Sequence, residues 1–337
     1  MKSLSVAMLI VSSIVGVGFA SGREIVAIFG MQGKLPFWII PICIILIFFI
    51  SLLFLSISRN VHKCGNLNYN QALFGKFGCV ADVFSLINSF VIFAAMLSAF
   101  AAFSNVKLQT AWGSVHIASL AIGFLGVLIA KLGIEGLIRI NTILVPFVII
   151  SLTVVPIFAI KRFDFSLNFA ISHISQSIVY VGLNMYLASN ALFKMNLSKR
   201  QTITSASIAS MIFGILLTLL VLALNGNPQA FNSSMPILII AKQYNYFANI
   251  VINCTLVSCI FTSLIIAIYN IVEFFKFTKS RFLTGLSALC VAFAISGLGF
   301  KNIVTIFYPA IGVVGIVFII ACILSMYRQK NKDCKCK

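Results

Sequence analysis

The stretch Val15-Gly16-Val17-Gly18-Phe19-Ala20-Ser21-Gly22-Arg23-Glu24-Ile25 lies inside the first long apolar segment of the chain, residues 3–30. Three glycines and a serine fall within seven residues of it, and each glycine weakens a helix by about 1 kcal/mol relative to alanine. Glycine also lets the backbone leave helical dihedrals. The amides and carbonyls freed in this way are tolerated in a membrane only where they face protein, water or ligand. The spacing therefore predicts an interrupted helix, although Gly18 and Gly22 also make a G-x-x-x-G pair of the kind used for close helix packing. Arg23 and Glu24 follow at once. Charges inside a span line a cavity or pathway; the alternative is a helix that ends at Gly22, with both charges at the outer interface. The other carboxylates, Asp82, Glu135, Asp164, Glu273 and Asp333, fall at predicted span ends or in loops. Glu24 is thus the acidic residue placed for a proton relay.

Composition explains why a membrane is the setting. Of 337 residues, 61% are hydrophobic and 9% charged, with a mean hydropathy of +1.11. A soluble domain carries about 25% charged residues, so this chain could not cover a globule's surface. Secreted, cytosolic and disordered classes are excluded. The apolar runs are continuous, as over residues 41–55, which argues against a barrel of alternating strands. The net charge of +18 is read as cytoplasmic loops rather than a nucleic-acid surface. The N-terminus has some features of a signal peptide, Lys2 and an apolar run ending in small residues near Ala20, but many long spans follow it. The nine cysteines show no paired spacing beyond Cys334 and Cys336 in the lysine-rich tail, so no disulfide framework is implied.

About ten spans of roughly 20 residues fit the chain: 3–30, 36–58, 81–104, 113–130, 136–160, 170–193, 202–225, one within 236–275 whose first part reads as a short surface helix, 282–300 and 302–327. Most of the 24 lysines and arginines then fall in alternate loops and the C-terminal tail, which predicts a multi-pass plasma-membrane protein with both termini cytoplasmic. Ten spans divide into two halves of five, residues 1–162 and 163–327, followed by a basic cytoplasmic tail, 328–337. An odd number of spans per half makes the second half enter from the opposite side, so halves of common fold are inverted repeats. In that plan the first helix of each half is discontinuous. Span six offers Tyr180-Val181-Gly182-Leu183-Asn184, with Asn190 further on, as the matching weak point. Asn184 hydrogen-bonded to a neighbouring helix is the plainer reading. Span three carries Ser85, Asn88, Ser89 and Ile92 on one face.

The motif from Val15 to Ile25 resembles the first-helix signature of the YkvI-like bacterial membrane proteins, which are similar to the amino acid–polyamine–organocation transporter superfamily with the LeuT fold. The resemblance implies an all-α integral membrane fold of about ten helices in a 5+5 inverted repeat, with helices one and six discontinuous. It implies a substrate site at Gly16, Val17, Gly18 and Ser21 of helix one and Val181, Gly182 and Asn184 of helix six, with Asn88 and Ser89 of helix three beside them. Matching Val15, Gly16 and Gly18 to the V-G-x-G core implies a sodium ion at the Ser12 and Val15 carbonyls. Cys259-Ile260-Phe261-Thr262-Ser263 resembles the A-x-x-T-S segment that completes that site, through the Cys259 carbonyl and the Thr262 and Ser263 hydroxyls. Oxygen-only donors suit a hard cation, whereas Ser and Thr in helices ordinarily bond to their own carbonyls.

Two features depart from the superfamily. Arg23 lies near the outer-gate arginine position, but residues 302–327 contain no carboxylate to pair with it, which leaves Glu24 as a partner. Span five has no lysine where some proton-coupled members place one; this leans toward sodium, and Glu24 leans back toward protons. No nucleotide, hydrolase or zinc motif appears, so no enzyme activity and no cofactor are expected beyond the sodium ion. The expected function is secondary active transport of a small zwitterion, an amino acid, coupled to Na+ or H+. The alternative is an amino-acid-sensing receptor subunit like those of germinant receptors, which share the fold. The expected partners are a small-molecule substrate and the lipid bilayer, with no nucleic acid; the sequence does not specify an oligomeric state.

Overall fold

A computed structural model describes residues 2–30, 34–63, 69–75, 78–108, 112–130, 133–160, 169–193, 195–244, 246–275 and 280–333. The predicted first span is three helices, α1 (Lys2–Ile14), α2 (Val17–Ala20) and α3 (Arg23–Phe29). Spans two to five are α4 (Ile39–Lys63), α6 (Gly78–Leu108), α7 (Trp112–Ala130) and α8 (Gly133–Ala159), with a short α5 (Tyr69–Phe74) before α6. The remainder are α9 (Ile171–Leu192), α10 (Lys199–Asn225), α11 (Pro236–Tyr244), α12 (Tyr246–Phe274), α13 (Arg281–Ser296) and α14 (Phe300–Asp333), with a 3₁₀ turn at Pro228–Asn232 before α11. Among the described residues, five helices are long and apolar enough to cross a membrane: Ile39–Val61, Gly78–Ser104, Lys199–Asn225, Tyr246–Phe274 and Phe300–Met326. Phe49, Ile150, Met211, Ile306 and Val317 are exposed on the outer faces of their helices, as expected where lipid replaces water.

Helix one occupies the centre. α1 packs on α9, α10 and α8; α2 packs on α12; α3 packs on α14 and α9. Gly16 sits in extended backbone, φ −88° and ψ −175°, and its amide turns to the Ile14 carbonyl at 3.0 Å. Gly22 is left-handed at φ 76°, between α2 and α3, a conformation that a side chain makes costly. The predicted interruption of helix one is therefore present as two distinct breaks, one at each outer glycine of the motif.

Helix six is not interrupted, contrary to expectation. α9 runs through Tyr180, Val181, Gly182 and Asn184 without a break. Gly182 is a crossing point: a Cβ there would lie 2.8 Å from the Gly312 carbonyl of α14. Asn184 donates to the Tyr180 carbonyl one turn back at 3.0 Å, within its own helix. A single glycine that brings two backbones together, with an asparagine bonded locally, leaves the helical ladder intact.

One smaller expectation is corrected. α11 is not a surface helix, because Ile237, Leu238, Ile240 and Ala241 are buried and the Ile237 amide donates to the Ser21 carbonyl at 2.9 Å. α14 runs on through residues 328–333 of the basic segment. The division between halves at residues 162 and 163, and the pair Cys334 and Cys336, lie outside the described residues.

Candidate functional site

The first break opens a small cavity. Its volume is about 20 Å³, and Val11, Ser12 and Val15 of α1, Leu144, Val145, Val148 and Ile149 of α8, and Cys259, Thr262, Ser263 and Ile266 of α12 line it. All five residues implied for a sodium site, Ser12, Val15, Cys259, Thr262 and Ser263, are thus brought to one cavity. A space of this size suffices for one water or ion. The geometry of the break supplies acceptors. With the Gly16 amide turned to Ile14, no backbone amide among the described residues donates to the Ser12 or Val15 carbonyl. The Thr262 hydroxyl donates to the Cys259 carbonyl at 3.2 Å and keeps lone pairs to offer. The Ser12 side chain is spent on its own helix, donating to the Leu9 carbonyl at 2.9 Å, so only its carbonyl suits the cavity. Gly16 stands at the edge, where a Cβ would meet the Ser263 hydroxyl at 3.5 Å. Among the described residues no three His, Cys, Asp or Glu side chains gather. An ion in this cavity would therefore be held by carbonyls and hydroxyls, the hard oxygen donors that suit Na+.

The second break folds Glu24 back onto the first. Glu24 is 3% exposed. Asn184 Nδ2 donates to its Oε1 at 2.9 Å, and a Cβ on Gly18 would lie 2.6 Å from its Oε2 and 3.3 Å from the Tyr308 ring of α14. Gly18, Glu24 and Asn184, three of the expected site residues, therefore meet. They do so by filling the space beside Gly18 with the protein's own carboxylate. Val17 is fully buried. Ser21 turns inward on the break: its hydroxyl donates to the Gly18 carbonyl at 3.2 Å and accepts from the Arg23 amide at 3.3 Å.

Arg23 does not pair with Glu24. Its Nη1 donates to the Phe231 carbonyl at 3.0 Å and its Nη2 to the Thr305 hydroxyl at 3.0 Å. The expected gate partner is corrected accordingly: a neutral hydroxyl of α14 and the carbonyl of the 3₁₀ turn take the guanidinium, and Glu24 faces the other way. Helix three contributes less than expected. Ser89 donates to the Ser85 carbonyl at 2.9 Å, its own helix. Asn88 is buried with Oδ1 unpartnered, and among the described residues no hydrogen bond joins either residue to the break.

Tyr180, Tyr308 and the carbonyl of Phe231 were not singled out from the sequence. Tyr180 could have been found from its position four residues before Asn184. Nothing local marks Tyr308 or Phe231, which reach helix one only through the tertiary fold.

No protein-family model matches the chain. It is 24% identical over 326 residues to the uncharacterized membrane protein YkvI of Bacillus subtilis (strain 168), covering 93% of each. Its structure is similar to that of MhsT in complex with L-phenylalanine, with a TM-score of 0.59 at 16% identity over 94% of this chain and 87% of that one. It is also similar to Mhp1, a nucleobase-cation-symport-1 family transporter, in a closed conformation with bromovinylhydantoin bound, with a TM-score of 0.56 at 14% identity over 91% and 74% of the two chains. The chain is therefore a multi-pass membrane protein with the LeuT-type fold of these transporters, similar along nearly its whole length to YkvI.

Proposed function

We propose that this protein is a secondary active transporter of a small zwitterionic solute, an amino acid, working by alternating access and drawing on a sodium ion in the cavity between α1, α8 and α12. It lies in the cell membrane with both termini cytoplasmic. The observation that carries the reading is the convergence of Ser12 and Val15 with Cys259, Thr262 and Ser263 around a space the size of one ion. The Ser12 and Val15 carbonyls lack amide partners among the described residues because helix one breaks, so an ion held by them would tie α1 to α8 and α12 and bias how the interrupted helix sits against them. A ligand shifts such an equilibrium only through contacts that differ between the two states, and donors drawn from separate helices meet that requirement. Amino-acid specificity is supported by the MhsT likeness, whose complex holds L-phenylalanine. The reaction is translocation, with no bond made or broken.

Reconstitution tests this reading. The full chain in liposomes, given an inward sodium gradient, should accumulate at least one radiolabelled L-amino acid, and thermal shift in the same panel should be sodium-dependent. Binding without net flux would make the protein a receptor of the same fold. No binding of any amino acid with or without sodium would remove the amino-acid assignment.

A further inference from the structure

α9 carries a file of polar side chains along one face. His173, Ser177, Tyr180 and Asn184 are spaced four, three and four residues apart, which keeps them on one side of a helix. All four are buried, and Ser177 and Tyr180 are fully so. At one end the file meets Glu24 through the 2.9 Å bond from Asn184. At the other, His173 lies just inside the exposed Phe169 and Ile171, at the outer end of helix six in the predicted topology. His173 Nδ1 accepts from the Ala170 amide at 3.2 Å, so the ring proton of the neutral imidazole sits on Nε2, where it can orient water at the mouth of the file. Between the two ends the hydroxyls of Ser177 and Tyr180 are buried with no partner at full hydrogen-bond geometry; the Cys43 thiol of α4 lies against Ser177, and Asn184 against Tyr180. Ser51, two turns further along that face of α4, is buried and unpartnered as well. Buried hydroxyls short of full hydrogen-bond partners are places where an ordered water fits.

The groups around Glu24 suit a proton and not a metal. Tyr180 and Asn184 face it from α9 and Tyr308 from α14. Cys43 of α4 lies beyond Tyr180, and Arg23 on Glu24's own helix is turned to Phe231 and Thr305. Among the described residues no basic side chain forms an ion pair with Glu24. One carboxylate with neutral neighbours lacks the oxygen shell that a hard metal ion needs, but a single proton neutralises it. Intramembrane carboxylates in such files serve as proton relays.

We propose that the His173–Ser177–Tyr180 file, with ordered water, is a proton path that ends on Glu24, and that Glu24 carries a coupling proton separate from the ion in the α1–α8–α12 cavity. A proton enters on water at the mouth of the file, oriented by the His173 Nε2–H. Each hydroxyl or water accepts one proton and passes on another, and the last forms an O–H bond on Glu24, leaving every relay group as it began. Asn184 positions the carboxylate and takes no part in the transfer. Release toward the other side restores the carboxylate. The coupling role rests on the transporter reading; protonation of Glu24 through the file does not.

The test uses the full chain in lipid nanodiscs and infrared difference spectra on a jump from about pH 9 to about pH 5. A protonated-carboxyl C=O band should appear that is missing in Glu24→Gln. Its rise should slow about tenfold or more in Tyr180→Phe and in Ser177→Ala with unchanged final amplitude. Tyr180→Phe keeps the ring that packs on Phe29 at 5.3 Å, and Ser177→Ala removes a single atom should that variant fail to fold. No band assignable to Glu24, or unchanged rates in both variants, overturns the path. Sodium-driven amino-acid flux at the wild-type rate in Glu24→Gln overturns the coupling role and leaves the transporter reading standing. A Glu24 band with the expected kinetics in a protein that moves no amino acid supports the path and removes the transporter reading.

Discussion

Adding one methyl group at Gly18 tests how the two breaks of helix one depend on each other. A Cβ there would lie 2.6 Å from Glu24 Oε2, 3.3 Å from Glu24 Cβ and 3.3 Å from the Tyr308 ring, so Gly18→Ala forces the carboxylate away. Overpacking a well-filled site costs about 1–3 kcal/mol. Moving Glu24 also breaks its 2.9 Å bond from Asn184, a charged hydrogen bond of about 1.5–3 kcal/mol. Gly18→Ala should therefore destabilise the protein by about 2.5–6 kcal/mol. In a Glu24→Ala background the space is vacant and the bond already gone, so the same substitution should cost under about 1 kcal/mol. The assay is chemical unfolding in mixed micelles of wild type, both single variants and the double variant. Equal costs in the two backgrounds would refute the contact and, with it, the placement of Glu24 against Gly18. Gly16→Ala is the control, since its Cβ meets only the Ser263 hydroxyl at 3.5 Å and the backbone there is extended; it should fold normally.

Thr262→Val with Ser263→Ala removes two of the five oxygens proposed for the cation, and each should cost about tenfold or more in sodium affinity, read as a right-shifted sodium dependence of thermal stability at unchanged expression. Arg23→Ala strands the Phe231 carbonyl, while the Thr305 hydroxyl keeps its bond to the Lys301 carbonyl at 2.7 Å, and should destabilise by about 1–3 kcal/mol, whereas Thr305→Val, which leaves the Phe231 bond in place, should cost about half as much; equal losses in micelle unfolding would contradict the shared clamp. Gly315→Ala drives a Cβ into the Gly182 carbonyl across the α9–α14 crossing and should cost about 3 kcal/mol or more, while Gly75→Ala, with nothing near its Cβ but a φ of 56°, should cost only about 1 kcal/mol from backbone strain.

The sequence by itself determined the membrane class, the all-helical architecture and the break in helix one. Each of these is a local property: apolar runs of span length, basic loops, and three glycines where a helix would otherwise run. The gathering of Ser12 and Val15 with Thr262 and Ser263 was legible only through the resemblance, because residues some 250 positions apart share no local signal. What only the tertiary structure decided concerns how the glycines and polar residues are used. Gly182 and Gly18 look alike in sequence, yet Gly182 faces the α14 backbone and keeps its helix whole, while Gly18 faces a carboxylate. Arg23 and Glu24, adjacent in the chain, point to opposite partners because α3 restarts from a left-handed Gly22 and presents its first two side chains to different helices. The same α9 face that holds Asn184 against Glu24 places Ser177 and Tyr180 in a file, and α4 packs on that helix. Helix propensity and periodicity act within a few residues of each other, whereas the direction in which a side chain is buried is set by whichever helix packs on it.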